Sequence, residues 1–191
     1  MKPNGPCRGI RHQRGLSLIE LIVFIVIVST GVAGVLSVLN LTATRSADPM
    51  TAKQALTLAE TLLEEAQLMP FTYCDPDDAN ATTALNTAGC ATTTETTMAA
   101  EAGETRGSLS TPFDNVNDYN GYTQSGTFAD ISGNSVISLP GYTATITVSG
   151  QALGTIGSSE SLLIRVRVTG PNNVEVNLYG YRVRYAPNAV P

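Results

Sequence analysis

The stretch Gly15-Leu16-Ser17-Leu18-Ile19-Glu20, followed by an uncharged run from Leu21 to Thr44, decides how this chain is organised. Lys2, Arg8, Arg11 and Arg14 precede it, with no acidic residue among them. As a helix rising 1.5 Å per residue, the run reaches about 36 Å, more than the roughly 30 Å of a bilayer's hydrocarbon core. An ordinary secretory signal has a shorter apolar core and an A-x-A-like cleavage site. Only Thr42-Ala43-Thr44 approximates such a site here. A plain single-pass anchor fits the length but gives no reason for Glu20, the one charge in the apolar segment. A carboxylate at that depth costs about 2.5–3.5 kcal/mol on insertion scales, which makes it a functional-site candidate by default.

A basic leader, a Gly before the apolar segment and a Glu one turn into it resemble the class III signal of type IV prepilins and pseudopilins. The resemblance implies cleavage between Gly15 and Leu16, with residues 1–15 as leader and 16–44 as the membrane-spanning or filament-core half of a long helix. Glu20 then stands at the fifth mature position, where that family carries its glutamate. Leu16 takes the place where the family commonly has Phe. The family's peptidase would cut this bond and N-methylate Leu16. The freed amine and Glu20 would be complementary charges one helical turn apart, available to check subunit entry into a filament.

Without the leader, seven basic residues face sixteen acidic ones. A net charge near −9 argues against general nucleic-acid binding. Basic residues ahead of the apolar run place the N-terminus in the cytoplasm and residues 45–191 in the periplasm or outside the cell. Cys7 lies in the leader, which leaves Cys74 and Cys90 as a pair expected to form one disulfide in an oxidising compartment. His12 is also in the leader, so the mature chain has no histidine for Ser-His-Asp or Cys-His catalysis. No enzyme activity, cofactor or metal is expected. Asp75, Asp77 and Asp78 beside Cys74 suggest calcium, but their spacing lacks the EF-hand pattern, and a solvated acidic loop is the favoured reading.

Beyond the apolar run, Ala55, Leu58, Ala59, Leu62, Leu63, Ala66 and Met69 recur at spacings of three and four, one face of an amphipathic helix over 49–69. Asp48-Pro49 reads either as a new helix start or as a kink in a continuous helix. Residues 71–140, rich in Thr, Ala, Asn, Asp and Gly, read as a long polar loop. A sheet is expected over 141–186. Tyr142, Ala144, Ile146 and Val148 alternate with polar residues, as do Leu162, Ile164, Val166 and Val168, and Gly170-Pro171-Asn172-Asn173 is a turn. The apolar phase jumps from Val174, Val176 and Leu178 to Tyr181, Val183 and Tyr185, which predicts a bulge at Gly180. Arg165 and Arg167 would then share an outward strip with Arg182 and Arg184, a candidate partner-binding surface.

Helix and strands segregated in this way make an α+β chain. A long N-terminal helix packed on a C-terminal antiparallel sheet, with a variable connecting loop and a disulfide, is similar to the type IV pilin fold. Arg45-Ser46-Ala47-Asp48-Pro49-Met50, Leu62-Leu63-Glu64-Glu65 and the run from Phe113 to Tyr122 resemble D-component minor pilins of the mannose-sensitive haemagglutinin pilus. The resemblance implies a minor pilin that joins, initiates or caps a type IV filament. Its partners would be a prepilin peptidase and N-methyltransferase, other major and minor pilins, and an inner-membrane assembly platform. A type II secretion pseudopilin and a surface- or DNA-binding pilin module are the alternatives.

Overall fold

The computed structural model describes residues 17–190, with the side chains of residues 41–48 outside the described set. Helix α1 spans Leu18–Leu68 and runs through Pro49, so the continuous form of the two open at Asp48-Pro49 is the one adopted. Asp48's capping role concerns a side chain outside the described set. The chain divides between Ser46 and Ala47 into two units.

In the second unit, the predicted stripe on α1 is the buried one. Ala55, Ala59, Leu62 and Ala66 lie in the core, and Leu58, Leu63 and Met69 pack at its margin. Three of these four buried positions are alanines. The sheet is an antiparallel meander in the order β1 (Thr123–Ala129), β2 (Ser135–Gly150), β3 (Ser161–Thr169), β4 (Glu175–Val183). Tyr142, Ala144, Ile146 and Val148 of β2, and Leu162, Ile164, Val166 and Val168 of β3, form its buried face. The Tyr142 hydroxyl donates to Gln54 Oε1 at 2.8 Å and to the Thr51 carbonyl at 3.3 Å, which ties β2 to α1.

Two strand expectations are corrected. The sheet begins at Thr123 rather than at 141, so β1 and the start of β2 occupy what reads as loop. Phe128 is the only buried side chain of β1, which leaves the strand no apolar alternation to read. Pro140-Gly141 suggests a break, yet β2 continues through it. The pairing of β1 moves from Ser125–Thr143 to Gly126–Leu139, so the extra residues of β2 bulge out at Pro140–Tyr142. Pro140 has no N–H to lose from the ladder, and Gly141 takes φ +84°, a left-handed conformation that suits glycine.

No bulge occurs at Gly180. Strands β3 and β4 pair without interruption from Ser161–Val183 to Thr169–Glu175. Gly180 lies opposite Ile164 on the core face, where a Cβ would run into the Gln67 amide and come within 3.1 Å of Leu63. The glycine is there because α1 crosses at that point. Tyr179 and Tyr181 fall on the outer face, still substantially exposed. The turn at Gly170 is present, with Asn172 and Asn173 both left-handed and the Gly170 N–H donating to the Val174 carbonyl at 2.8 Å.

Between α1 and β1 the chain folds around polar side chains. Cys74 and Cys90 are joined, with Cα atoms 5.5 Å apart. A loop of this size stabilises by about 3 kcal/mol in the chain-entropy model. Residues 113–122 are the hub. Asn115 caps the short 3-10 turn Val116–Tyr119 in a reciprocal capping box with Asp118, and its Nδ2 donates to Thr72 Oγ1 at 2.6 Å. Asn120 bonds the Met98 carbonyl and the Val148 N–H. Phe113, Tyr119 and Tyr122 pack edge to face with ring centroids 5.2–6.5 Å apart. Asn115 and Asn117 bond both backbone and side-chain groups, Asn117 Nδ2 donating to the Thr97 carbonyl at 2.8 Å, and such contacts hold a segment poor in apolar residues in one conformation.

Candidate functional site

The first unit carries the strongest sequence signal. From Leu18 to Asn40, α1 is long and apolar enough to cross a membrane, and all of it is exposed on this chain. The hydroxyls of Ser29 and Thr30 do not interrupt that character. Ser29 donates to the Ile25 carbonyl at 2.6 Å, and Thr30 to those of Val26 and Ile27 at 3.0 and 2.9 Å. Polar groups satisfied within their own helix are compatible with lipid. Glu20 is the one ionisable side chain of this stretch.

Gly15 and Leu16 lie outside the described residues. Ser17 is the first described residue, and it starts the helix. The Glu20 N–H donates to the Ser17 carbonyl at 3.0 Å and to Ser17 Oγ at 3.3 Å. Ser17-Leu18-Ile19-Glu20 is therefore the S-x-x-E pattern of an N-cap followed by an acidic third residue. Sequence reasoning missed this second role of Ser17 and Glu20, although the pattern was legible. A carboxylate in the first turn also faces the positive end of the helix dipole.

The four arginines of the expected strip do not share a face. Arg165 and Arg167 point outward. Arg165 donates to Asn177 Oδ1 at 2.8 Å, and Arg167 pairs with Glu175 at 2.8 Å. Arg182 lies opposite Leu162 on the core face, beside the Tyr185 ring. Arg184 is nearly covered and pairs with Glu160 at 3.1 Å. Its guanidinium carbon is 3.9 Å from the Phe71 ring centroid and 4.6 Å from that of Tyr73. The expectation assumed the bulge at Gly180. Without it, the parity of β4 turns Arg182 and Arg184 inward.

The three aspartates near Cys74 also part company. Asp78 accepts from the N–H groups of Asn80, Ala91, Thr92 and Thr93 at 2.7–3.0 Å, and so closes the disulfide loop. Those backbone donors, Ala91 first, hold its carboxyl well below the usual carboxylate range. Asp75 accepts from the Asp77 N–H and is buried.

A buried ion pair joins the connecting segment to the second half of α1. Arg106 grips Glu65 with two bonds of 2.6 and 2.7 Å, and the Tyr119 hydroxyl donates to the same carboxylate at 2.8 Å. Arg106 also donates to the Ala129 carbonyl at 3.0 Å and to the Tyr122 hydroxyl at 3.3 Å. Burial works against the charge of Arg106, but the bonds to Glu65 overcome it and leave the guanidinium pKa above its ordinary value.

A family model described as the prokaryotic N-terminal methylation motif matches residues 10–36. Comparison with curated proteins gives no match, and neither does comparison with solved structures.

Proposed function

We propose that this chain is a minor pilin of a type IV filament, of the kind found as the D component of the mannose-sensitive haemagglutinin pilus. The observation that carries the reading is the coincidence at one place of three things. The methylation motif covers residues 10–36, the overlapping helix Leu18–Asn40 is apolar and long enough to cross a membrane, and Glu20 sits one turn inside that helix beside a capped start. The α+β layout, an N-terminal helix followed by a four-stranded antiparallel sheet, is consistent with a pilin.

In this reading a prepilin peptidase cuts between Gly15 and Leu16. The small residue at Gly15 lets the peptidase approach the backbone closely. The same enzyme methylates Leu16. The inner membrane then holds the chain by Leu18–Asn40, with the second unit in the periplasm. When the helix leaves lipid for the filament, the Leu16 amine and Glu20 are cationic and anionic partners in a water-poor environment, within a subunit or between neighbours. Such a pair stabilises only when both members are present, so docking is charge-checked. The role is structural, and no catalytic constellation is needed for it.

The test is recovery. In a host with a complete type IV system, filaments are sheared from cells and immunoblotted for this chain beside the membrane fraction. The proposal predicts the mature form in both fractions. A mature form confined to membranes, with filaments present and free of it, contradicts incorporation.

A further inference from the structure

Six carboxylates converge in the segment that connects α1 to β1. One ligand oxygen from each of Asp75, Glu104 and Asp114 lies within 4.8 Å of the others, and the same holds for Asp75, Glu95 and Glu101, and for Glu101, Glu104 and Asp118. The three sets share members, so the six form one continuous cluster. A calcium ion binds oxygens at 2.3–2.6 Å, so two ligands on opposite sides of it stand about 4.8 Å apart. The spacing suits a common cation.

Acidic residues crowd together on many surfaces without binding anything. These differ in burial and in what their oxygens lack. Glu95 and Asp118 are each only 2% exposed. One oxygen of each is used within the fold. Glu95 Oε2 accepts from Asn117 Nδ2, and Asp118 Oδ2 accepts from the Asp114 and Asn115 N–H groups at 3.0 and 2.7 Å. The other oxygen of each, Glu95 Oε1 and Asp118 Oδ1, is buried with no donor in reach, and Glu101 Oε2 shares that condition. An unpartnered buried carboxylate oxygen is costly, and the cluster holds three of them. No lysine or arginine bonds to any of the six among the described residues; Arg106, close by in sequence, is bonded to Glu65.

We infer that Asp75, Glu95, Glu101, Glu104, Asp114 and Asp118 bind calcium, with Glu95 Oε1, Glu101 Oε2 and Asp118 Oδ1 aimed at the ion. The donor set is all carboxylate, hard oxygen without histidine or thiolate, which excludes a preference for zinc or copper. Magnesium demands a tight octahedron and keeps much of its water, whereas calcium accepts six to eight oxygens from a loose cage of this kind. Binding would join the start of the connecting segment (Asp75), its middle (Glu95, Glu101, Glu104) and the hub before β1 (Asp114, Asp118) through one cluster.

Without a cation the cluster must hold protons. Burial, then the charges of the neighbouring carboxylates, raises Glu104 and Asp114 to about 7, and burial raises Glu95 and Asp118 to about 8. Asp77 adds negative charge at Asp114. Groups with raised folded pKa values keep protons that the unfolded chain releases above pH 4–5. Their contribution to stability is therefore present at low pH and lost as pH rises through about 7–8.

The experiment uses the full chain in detergent, stripped with EDTA. Millimolar CaCl2 at pH 7.5 should raise its melting temperature by about 10 °C, as expected for a ligand far above its Kd. Equal MgCl2 should do much less. Glu95→Gln and Asp118→Asn keep shape and remove charge, so both should fold at least as well without calcium yet lose at least tenfold in calcium affinity by calorimetry. Glu60→Gln, on the exposed face of α1, should leave the calcium response unchanged. A wild type that gives neither heat nor a melting shift with millimolar calcium overturns the inference and leaves a cluster held by protons. So does an undiminished calcium response in both charge-removing variants.

Discussion

Glu20→Gln should be cleaved and inserted in the membrane like the wild type, yet reach sheared filaments at no more than a tenth of the wild-type level. The scissile bond is untouched by the change. Insertion becomes easier, because a carboxylate at this depth costs about 2.5–3.5 kcal/mol and the amide costs less. If the chain docks as proposed, what the variant lacks is a charge to meet the Leu16 amine as the helix enters a water-poor filament. Glu20→Ala removes the same charge together with the hydrogen-bonding end of the side chain. Agreement between the two variants assigns the effect to charge; a normal Glu20→Gln beside a defective Glu20→Ala would assign it to side-chain packing. Wild-type incorporation of both removes charge-checked docking from the account while leaving processing intact. The measurement is an immunoblot of filament and membrane fractions from the same cells.

Arg106→Ala should destabilise the second unit by about 3–5 kcal/mol, the cost of breaking a buried ion pair from one side. The pair is almost closed to solvent, with 4% of the Arg106 side chain and 14% of the Glu65 side chain exposed. Removing Arg106 leaves Glu65 charged against Tyr119, and strips donors from the Ala129 carbonyl and the Tyr122 hydroxyl. Glu65→Gln should cost a comparable amount by leaving the guanidinium unpaired. Arg106→Lys should recover only part of the loss, since an ammonium cannot reproduce the two-bond grip. Replacing both residues with Met should be less damaging than either single change, because no uncompensated charge remains. Urea unfolding followed by circular dichroism reads the difference. A loss below about 1 kcal/mol for Arg106→Ala would place the pair with ordinary surface ion pairs.

The parts of the fold legible in the sequence are those set by apolar periodicity. The stripe from Ala55 to Met69 and the alternation in Tyr142–Val148 and Leu162–Val168 each mark a face that the structure buries. Where a strand buries little, the signal disappears, as in β1, whose only buried side chain is Phe128. At Gly180 the sequence points to a bulge, because a glycine that makes room for a crossing helix and a glycine that forms a bulge look alike in one dimension. The same ambiguity carries over to Arg182 and Arg184, since the direction of a strand side chain depends on register. The carboxylate cluster was legible only at one corner. Asp75 belongs to it, but its sequence neighbour Asp78 instead closes the disulfide loop, and the other members are drawn from Glu95 to Asp118 by polar contacts that leave no periodic trace. Glu20 stood out because a lone charge in an apolar run is conspicuous without any knowledge of the fold.

The central claim is that this chain is a prepilin processed after Gly15, and intact-mass measurement tests it most directly. Co-expressed with a prepilin peptidase, the wild-type chain should lose about 1.7 kDa, the mass of residues 1–15, and gain about 14 Da from one methyl group on Leu16. Gly15→Leu, expressed in the same way, should keep its full mass. A wild-type chain that retains residues 1–15 in the presence of active peptidase, or a Gly15→Leu chain that is cut at the same bond, would contradict the account.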